Sequence, residues 1–252
     1  MRIAILALAL GLLLTGCVTE KTGAVHPEQE LTAAAALNVQ LGFEYLRGGR
    51  RADAVAKFEK AIEQDGDNAQ AYYGLALVND QVGDLKQARR WFKSAVDAAP
   101  DDAGILNAYG IFLCKRGERA AAETAFMDAA RNLGYQTPAV AHTNAGICAR
   151  GGKDLVKAEQ HLRMALQVDP NHPQALLELA DLSLERGEPL RSRAFLQRLR
   201  EQGRSDARTL LLSNRTELAL GDERAASRFA DQLRRDFPGS PETIELDGKP
   251  QQ

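Results

Sequence analysis

Glycine recurs at a nearly fixed interval along this chain, and that interval constrains the fold more than any other feature. Gly49, Gly83 and Gly117 are 34 residues apart, and Gly187 and Gly221 repeat the same step. Gly152 lies between the two groups, one residue early on a step lengthened by two. Most of these glycines are followed five residues later by a small side chain: Ala54, Ala88, Ala122, Ser192 and Ala226. A period of about 34 residues is that of a solenoid built from helical hairpins, each a helix, a tight turn and a second helix. Glycine suits the turn because it ends the first helix in the left-handed region without a Cβ penalty.

Other positions keep the same phase. The first unit reads Leu41-Gly42-x-x-Tyr45, then Ala54-x-x-x-Phe58-x-x-Ala61; the second has Leu75-Ala76, then Ala88, Phe92, Ala95 and Pro100. The third has Tyr109-Gly110, then Ala122, Phe126 and Ala129; the fourth has Ala145-Gly146, then Ala158, Leu162, Ala165 and Pro170. The fifth keeps Leu179, Ala180 and Leu196, and the sixth keeps Leu210, Ala226, Leu233 and Pro238 but puts Ser213-Asn214 where the Leu-Gly pair belongs. This resembles the tetratricopeptide repeat, in which Leu-Gly and Tyr on the first helix precede Ala-x-x-x-Phe on the second and a closing Pro. The resemblance spans roughly residues 35–240, as units at 35–68, 69–102, 103–138, 139–172, 173–206 and 207–240. It implies an all-α fold, a right-handed α-solenoid of about six hairpins, with residues 241–252 left as a flexible tail.

The pattern has a physical reason. Gly or Ala at 42, 76, 110, 146 and 180 lets the two helices of a hairpin approach closely, and Phe58, Phe92 and Phe126 fill the space between hairpins. One hairpin cannot bury its apolar stripe alone, so stability is roughly a sum of neighbour interfaces. Ser213 and Asn214 fit a capping role in which one face of the last unit meets water.

The start of the chain has a different character. Arg2 precedes a twelve-residue apolar run, Ile3–Leu14, and Leu14-Thr15-Gly16-Cys17 resembles a bacterial lipobox. The run is well short of the ~20 residues needed to span a bilayer. We therefore expect residues 1–16 to be a removable signal peptide rather than a membrane anchor. The resemblance implies that Cys17 becomes the mature N-terminus and carries acyl chains such as palmitate. Valine rather than aspartate at 18 resembles the signal for sorting to the outer membrane. Residues 17–34 then hold the lipidated cysteine, a tether and the start of the first helix, with residues 18–26 reaching at most ~30 Å when extended.

Removing residues 1–16 takes away only Arg2 among charged side chains, leaving the mature chain one unit more negative than the formal −2 of the whole. No basic stripe with interleaved aromatics is present, so nucleic acid is not an expected partner. One run is basic: Arg186, Arg191, Arg193, Arg198, Arg200, Arg204 and Arg208. It reads either as a solvated face or as a contact for anionic headgroups or an acidic partner. Cys114 and Cys148 fall on the first helices of adjacent units, and an oxidising compartment permits a bridge between them; two buried free thiols are the alternative. His26, His142, His161 and His172 form no metal-ligand spacing. No nucleophile motif, phosphate loop or dinucleotide loop occurs in context. An enzyme, a metal, a cofactor beyond the lipid on Cys17 and a small-molecule substrate are all unexpected.

Helical spacing places Val39, Phe43, Tyr73, Leu77, Asn107, Ile111, Thr143 and Ile147 on the inward side of successive first helices. This groove is apolar with scattered hydrogen-bonding groups, and at Asp181 it turns polar. The Lys/Asn set that resembles a carboxylate clamp is missing, with Val39, Phe43 and Gly74 in its place. An amphipathic helix or apolar peptide suits such a surface. A lipobox, an immediate start of about six repeats, and strings such as Tyr109-Gly110-x-Phe112-Leu113-Cys114 and Asn144-x-Gly146-x-Cys148 together resemble the PilF/PilW family of type IV pilus biogenesis lipoproteins. Its members act as pilotins that bind secretin subunits in the periplasm and support their assembly in the outer membrane. That resemblance implies the secretin as partner and the inner face of the outer membrane as location. An adaptor for cell-wall hydrolases is the second reading.

Overall fold

The computed structural model describes residues 27–248, so the signal segment, Cys17, His26 and the last four residues lie outside the described part. Thirteen α-helices follow one another there: α1 Pro27–Arg47, α2 Arg51–Gln64, α3 Ala69–Val82, α4 Leu85–Ala98, α5 Ala103–Lys115, α6 Arg119–Arg131, α7 Pro138–Gly151, α8 Leu155–Val168, α9 Pro173–Glu185, α10 Pro189–Glu201, α11 Ala207–Ala219, α12 Glu223–Asp236 and α13 Pro241–Leu246. No strand occurs among the described residues. The first twelve pair as six antiparallel hairpins. The backbone of each odd-numbered helix also comes close to that of the next odd-numbered one, whereas even-numbered helices come that close only to their chain neighbours. The first helices therefore form the tighter, inner layer of the solenoid, and the second helices the outer one.

Two local devices set the hairpins. At the inner turn, Gly49, Gly83, Gly117, Gly187 and Gly221 have φ between 73° and 81°. The fourth turn departs from the sequence reading. Gly152 is right-handed at φ −87°, and Lys153, at φ 65°, takes the left-handed position. The left-handed site thus keeps its phase, 34 residues before Gly187, and a Cβ on Gly152 would lie 2.6 Å from the flexible Arg119 side chain at Cδ. At the helix starts, Asn68, Asp84, Asp102, Asp154, Asp206 and Asp222 each accept a hydrogen bond from the backbone N–H three residues on. Each such cap contributes about 1 kcal/mol.

The interlock between units is steric. A Cβ on Gly42 would lie 2.5 Å from the Phe58 ring, and one on Gly74 only 2.3 Å from it. Phe58, on α2, therefore lies wedged against α1 and α3 at once. Gly110 admits Phe126 in the same way, and Gly146 admits Leu162. Between these anchors runs a chain of rings: Phe43 against Phe58 at 5.0 Å, Phe43 against Tyr73 at 5.9 Å, Phe92 against Tyr109 at 5.6 Å and Phe92 against Phe112 at 4.9 Å. Cys114 and Cys148 are bonded, joining α5 to α7 with a Cα–Cα distance of 5.7 Å. Closing a loop of 34 residues removes chain entropy worth about 4 kcal/mol from the unfolded state in the loop-closure picture.

The C-terminal end differs from expectation in two ways. Ser213 and Asn214 do not face water. Both are buried: Ser213 Oγ donates to the Thr209 carbonyl at 2.8 Å, and Asn214 Nδ2 donates to the Ala226 carbonyl at 2.9 Å. Asn214 thereby ties α11 to α12 by a hydrogen bond where other units use a close glycine contact. Residues 241–246, expected within a flexible tail, form α13 instead. Ser240 caps it and Pro241 opens it, and Leu246 packs with Phe237 against Leu210, Leu211 and Leu233. This short helix covers the last hairpin.

Helix propensity alone makes Gly74→Ala stabilising by about 1 kcal/mol. The Phe58 ring reverses that sign. We expect a loss of about 1–3 kcal/mol from overpacking, read from urea unfolding, and less than half that loss when the same change is made in a Phe58→Leu background. A stabilised Gly74→Ala protein would contradict the interlock.

Candidate functional site

The inner layer presents one continuous groove, and its two halves have opposite chemistry. In the first half, Phe43 on α1, Tyr73 and Leu77 on α3, and Ile111 on α5 are half-buried, resting on the cores beneath them. Ile147 on α7 is the most open of the set, at 38% exposure. Burial pushes the Tyr73 phenol above its usual range, with the Asp102 charge adding to the shift, so the hydroxyl stays protonated. Val39 is half-buried and packs into the cluster around Phe58. Asn107 and Asn144 meet on adjacent helices, Asn144 Nδ2 donating to Asn107 Oδ1 at 3.0 Å.

Thr143 is a correction. It was expected to line the groove but is 2% exposed, and its hydroxyl donates to the Ala139 carbonyl at 2.7 Å. Helical spacing put it on the inward side, but the neighbouring helices close over it. The open apolar surface is therefore Phe43, Tyr73, Leu77, Ile111 and Ile147, with the Asn107–Asn144 pair among them.

In the second half the groove floor is an ion-pair block. The Arg150 guanidinium lies 2.8 Å from Asp181, 2.9 Å from Glu185 and 3.3 Å from Glu178. Arg208 reaches Glu178 at 3.0 Å and Asp181 at 3.4 Å. Burial alone would pull the Arg150 pKa down, but hydrogen bonds and charge from Asp181 and Glu185 hold it above the ordinary arginine value. Glu178 has a side chain only 7% exposed and pairs with both of these arginines.

Part of the basic run around α10 is ion-paired in the same manner. Arg186 and Arg191 both bind Glu159, Arg193 binds Glu217 with Nε 3.0 Å from Oε1, and Arg198 donates to the Pro170 carbonyl. Arg200 lies over the Phe229 ring at 5.2 Å, and burial lowers its pKa. Three arginines on one carboxylate outweigh the burial that would raise Glu159, and hold its pKa at about 2. Arg186, Arg191, Arg193 and Arg208 thus wire hairpins together, whereas Arg198 and Arg200 meet a carbonyl and a ring and Arg204 is exposed.

A cavity of about 280 Å³ opens on the other side of the array, between α6, α7 and α8, lined by Arg119, Glu123, Cys148, Lys157 and His161 among others. Its charges are matched internally: Lys157 donates to Glu123 at 2.9 Å and His161 Nε2 is 3.3 Å from the same carboxylate. His142 lies stacked near His161 with ring centroids 6.5 Å apart, and burial, then the neighbouring His161, lowers its pKa. Among the described residues no group of His, Cys, Asp or Glu is placed to hold a metal ion, and no helix is long and apolar enough to cross a membrane.

The repeat architecture is shared with known proteins. Tetratricopeptide repeat models match residues 39–103 and 149–215. The type IV pilus assembly protein PilF of Pseudomonas aeruginosa is 30% identical over 242 residues, covering 95% of this chain and 94% of that protein. The chain belongs to the PilF/PilW family of tetratricopeptide proteins of type IV pilus biogenesis. The crystal structure of PilW, described as a widely conserved type IV pilus biogenesis factor, superposes with a TM-score of 0.74 at 30% identity, covering 84% of this chain and 97% of that one. The P. aeruginosa PilF structure gives 0.74 at 28% identity, over 87% of this chain and 99% of that one. Proteins of the family are repeat scaffolds, and the same period, closing prolines and small-residue positions carry that architecture here.

Breaking a buried ion pair by removing one partner costs about 3–5 kcal/mol. Arg208 remains beside Glu178 when Arg150 is removed, so Arg150→Ala should cost less, about 2 kcal/mol. In a Glu178→Gln background the same change should cost about 1 kcal/mol or less. Urea denaturation of the four proteins of the cycle measures this. A loss within about 0.5 kcal/mol for the single variant would mark the block as an ordinary surface pair.

Proposed function

We propose that the chain is an outer-membrane lipoprotein, anchored through acyl chains on Cys17 and facing the periplasm, that binds secretin subunits of the type IV pilus and promotes their localisation and multimerisation there. The observation that carries the reading is the near full-length relationship to a type IV pilus assembly protein. The groove supplies the means. Its first half offers apolar side chains on a surface held rigid by the Phe58 and Phe126 wedges and by the bond between Cys114 and Cys148. Little ordering cost is then left to be met on binding. The Asn107–Asn144 pair keeps one amide N–H₂ and one amide oxygen directed to hydrogen bonding beyond the pair, which suits a backbone as well as a side chain.

Multimerisation is assisted without chemistry. A scaffold that holds secretin segments beside the membrane raises their local concentration, and a lipid anchor confines the search to the membrane plane. One acyl chain gives only marginal membrane residence, so stable anchoring requires several on Cys17.

Two variants test the two halves of the reading. Cys17→Ser should leave the protein unlabelled by radioactive palmitate and absent from the outer-membrane fraction. Ile147→Asp, at the open end of the apolar surface, should weaken secretin binding at least about tenfold, because a few anchors dominate such interfaces. Circular dichroism must first show an intact helical fold. A folded Ile147→Asp protein that still binds secretin and supports surface pili would remove the groove from the account.

A further inference from the structure

One interface between hairpins carries smaller side chains than those on either side of it. On α7, Ala145, Cys148 and Gly152 take the places that α5 gives to Tyr109, Phe112 and Arg116 and that α9 gives to Leu179, Leu182 and Arg186. In those neighbours the places face the second helix of the preceding hairpin. Tyr109 and Phe112 pack against Phe92 of α4, and Leu179 and Leu182 cluster with Leu162 of α8. Between α6 and α7 all three residues are reduced, and the cavity of about 280 Å³ lies there. Ala145, Cys148 and Ala149 give it a buried apolar floor, and Arg119, Ala120 and Gly152 are exposed at its mouth.

The α4–α5 interface shows what such a place holds. There the Phe112 ring lies under two guanidiniums, with Arg116 4.3 Å and Arg89 5.6 Å from its centroid. The α6–α7 interface keeps a guanidinium and has no ring to go with it. Arg119 of α6 crosses Gly152, where a Cβ would lie 2.6 Å from its Cδ and 2.7 Å from its Nε, and donates to the Gly151 carbonyl at 3.0 Å. Among the described residues it pairs with no carboxylate. The acid on its own helix, Glu123, is taken up by Lys157 and His161. The guanidinium is thus held at the mouth of an apolar recess with no anion beside it to compete for its charge.

We propose that this cavity binds one aromatic side chain of a partner protein, the ring seated on Ala145, Cys148 and Ala149 with its face under the Arg119 guanidinium. The volume lies just below that of pockets for drug-sized ligands, which suits a single side chain. A cation is attracted to the face of an aromatic ring by the ring quadrupole. A carboxylate would meet Arg119 but would have to lie on the apolar floor next to Glu123. An aliphatic side chain would cover the floor and gain nothing from the guanidinium. The recess lies on the other side of the array from the inner groove, so the assignment does not rest on what the groove binds.

The test uses the isotopically labelled full chain and two capped peptides: acetyl-Gly-Ser-Phe-Ser-Gly-amide, and the same peptide with cyclohexylalanine, which matches phenylalanine in size but has no π-face. NMR titration should shift the amides of Ala145, Ala149 and Gly152, with the cyclohexylalanine peptide bound about threefold more weakly, as a cation–π contact at an open site implies. Arg119→Met should weaken the phenylalanine peptide by the same factor and remove the preference between the two. Ala145→Tyr, which restores the residue that α5 carries, should abolish binding of both. Arg119 lies at the surface, so its variant keeps the test decisive even where Ala145→Tyr fails to fold. No shifts at these amides, equal binding of the two peptides by the unaltered chain, or a preference that survives Arg119→Met would each overturn the proposal. So would toluene shifting these amides when neither peptide does, since a free small molecule would then be the occupant.

Discussion

Phe58 touches the places where α1 and α3 each lack a side chain, and the solenoid depends on that arrangement repeating. A large ring from the second helix enters between first helices only because Gly42 and Gly74 have no Cβ to meet it. Phe126 over Gly110 and Leu162 over Gly146 repeat the close contact within their own hairpins. Dispersion between such interlocked surfaces is short-ranged, and a gap of even half an ångström forfeits about a quarter of it or more. The wedge therefore fixes the spacing of the first helices, and that spacing sets the groove. Phe43, Tyr73, Leu77, Ile111 and Ile147 lie in register because the helices bearing them cannot drift apart.

The second half of the array is held by a different force. There Leu196 replaces the wedge phenylalanine, Asn214 replaces the close glycine, and charge takes over between units. Arg150 and Arg208 on Glu178 and Asp181, and Arg193 on Glu217, each join hairpins, and the carboxylates of Glu178 and Glu217 are largely out of water. Removing one member leaves an uncompensated charge, so these pairs specify register more than they add net stability. The functional consequence is a polarity step along the groove, apolar up to Ile147 and ionic from Arg150 onward. An apolar segment bound there would be guided to the first half by the cost of lying over paired charges in the second.

Much of this was legible in the sequence because a helical repeat writes its packing as a period. The hairpins, the wedge residues Phe58, Phe92 and Phe126, and the inward set from Phe43 to Ile147 all follow from counting. What counting misses is contact between residues that no period relates. Lys153 rather than Gly152 takes the left-handed turn, and the Arg119 side chain from another hairpin packs against Gly152. Thr143 has inward spacing yet is covered by its neighbours. Arg186, Arg191, Arg193 and Arg208 look like parts of a surface patch in a linear reading, since their carboxylates at Glu159, Glu178 and Glu217 come from other helices. The six aspartate and asparagine caps were readable in principle: an Asp or Asn stands just before each of those helices.

The central claim is that a groove pre-formed by interlocked first helices is where the partner lies. Hydrogen–deuterium exchange of the full chain, alone and bound to purified secretin, tests it directly. The account predicts slow exchange of α3, α5 and α7 in the free protein and further protection of those helices on binding, with α8, α10 and α12 unchanged. Fast exchange of the inner helices before binding, or protection confined to the outer helices, would contradict it.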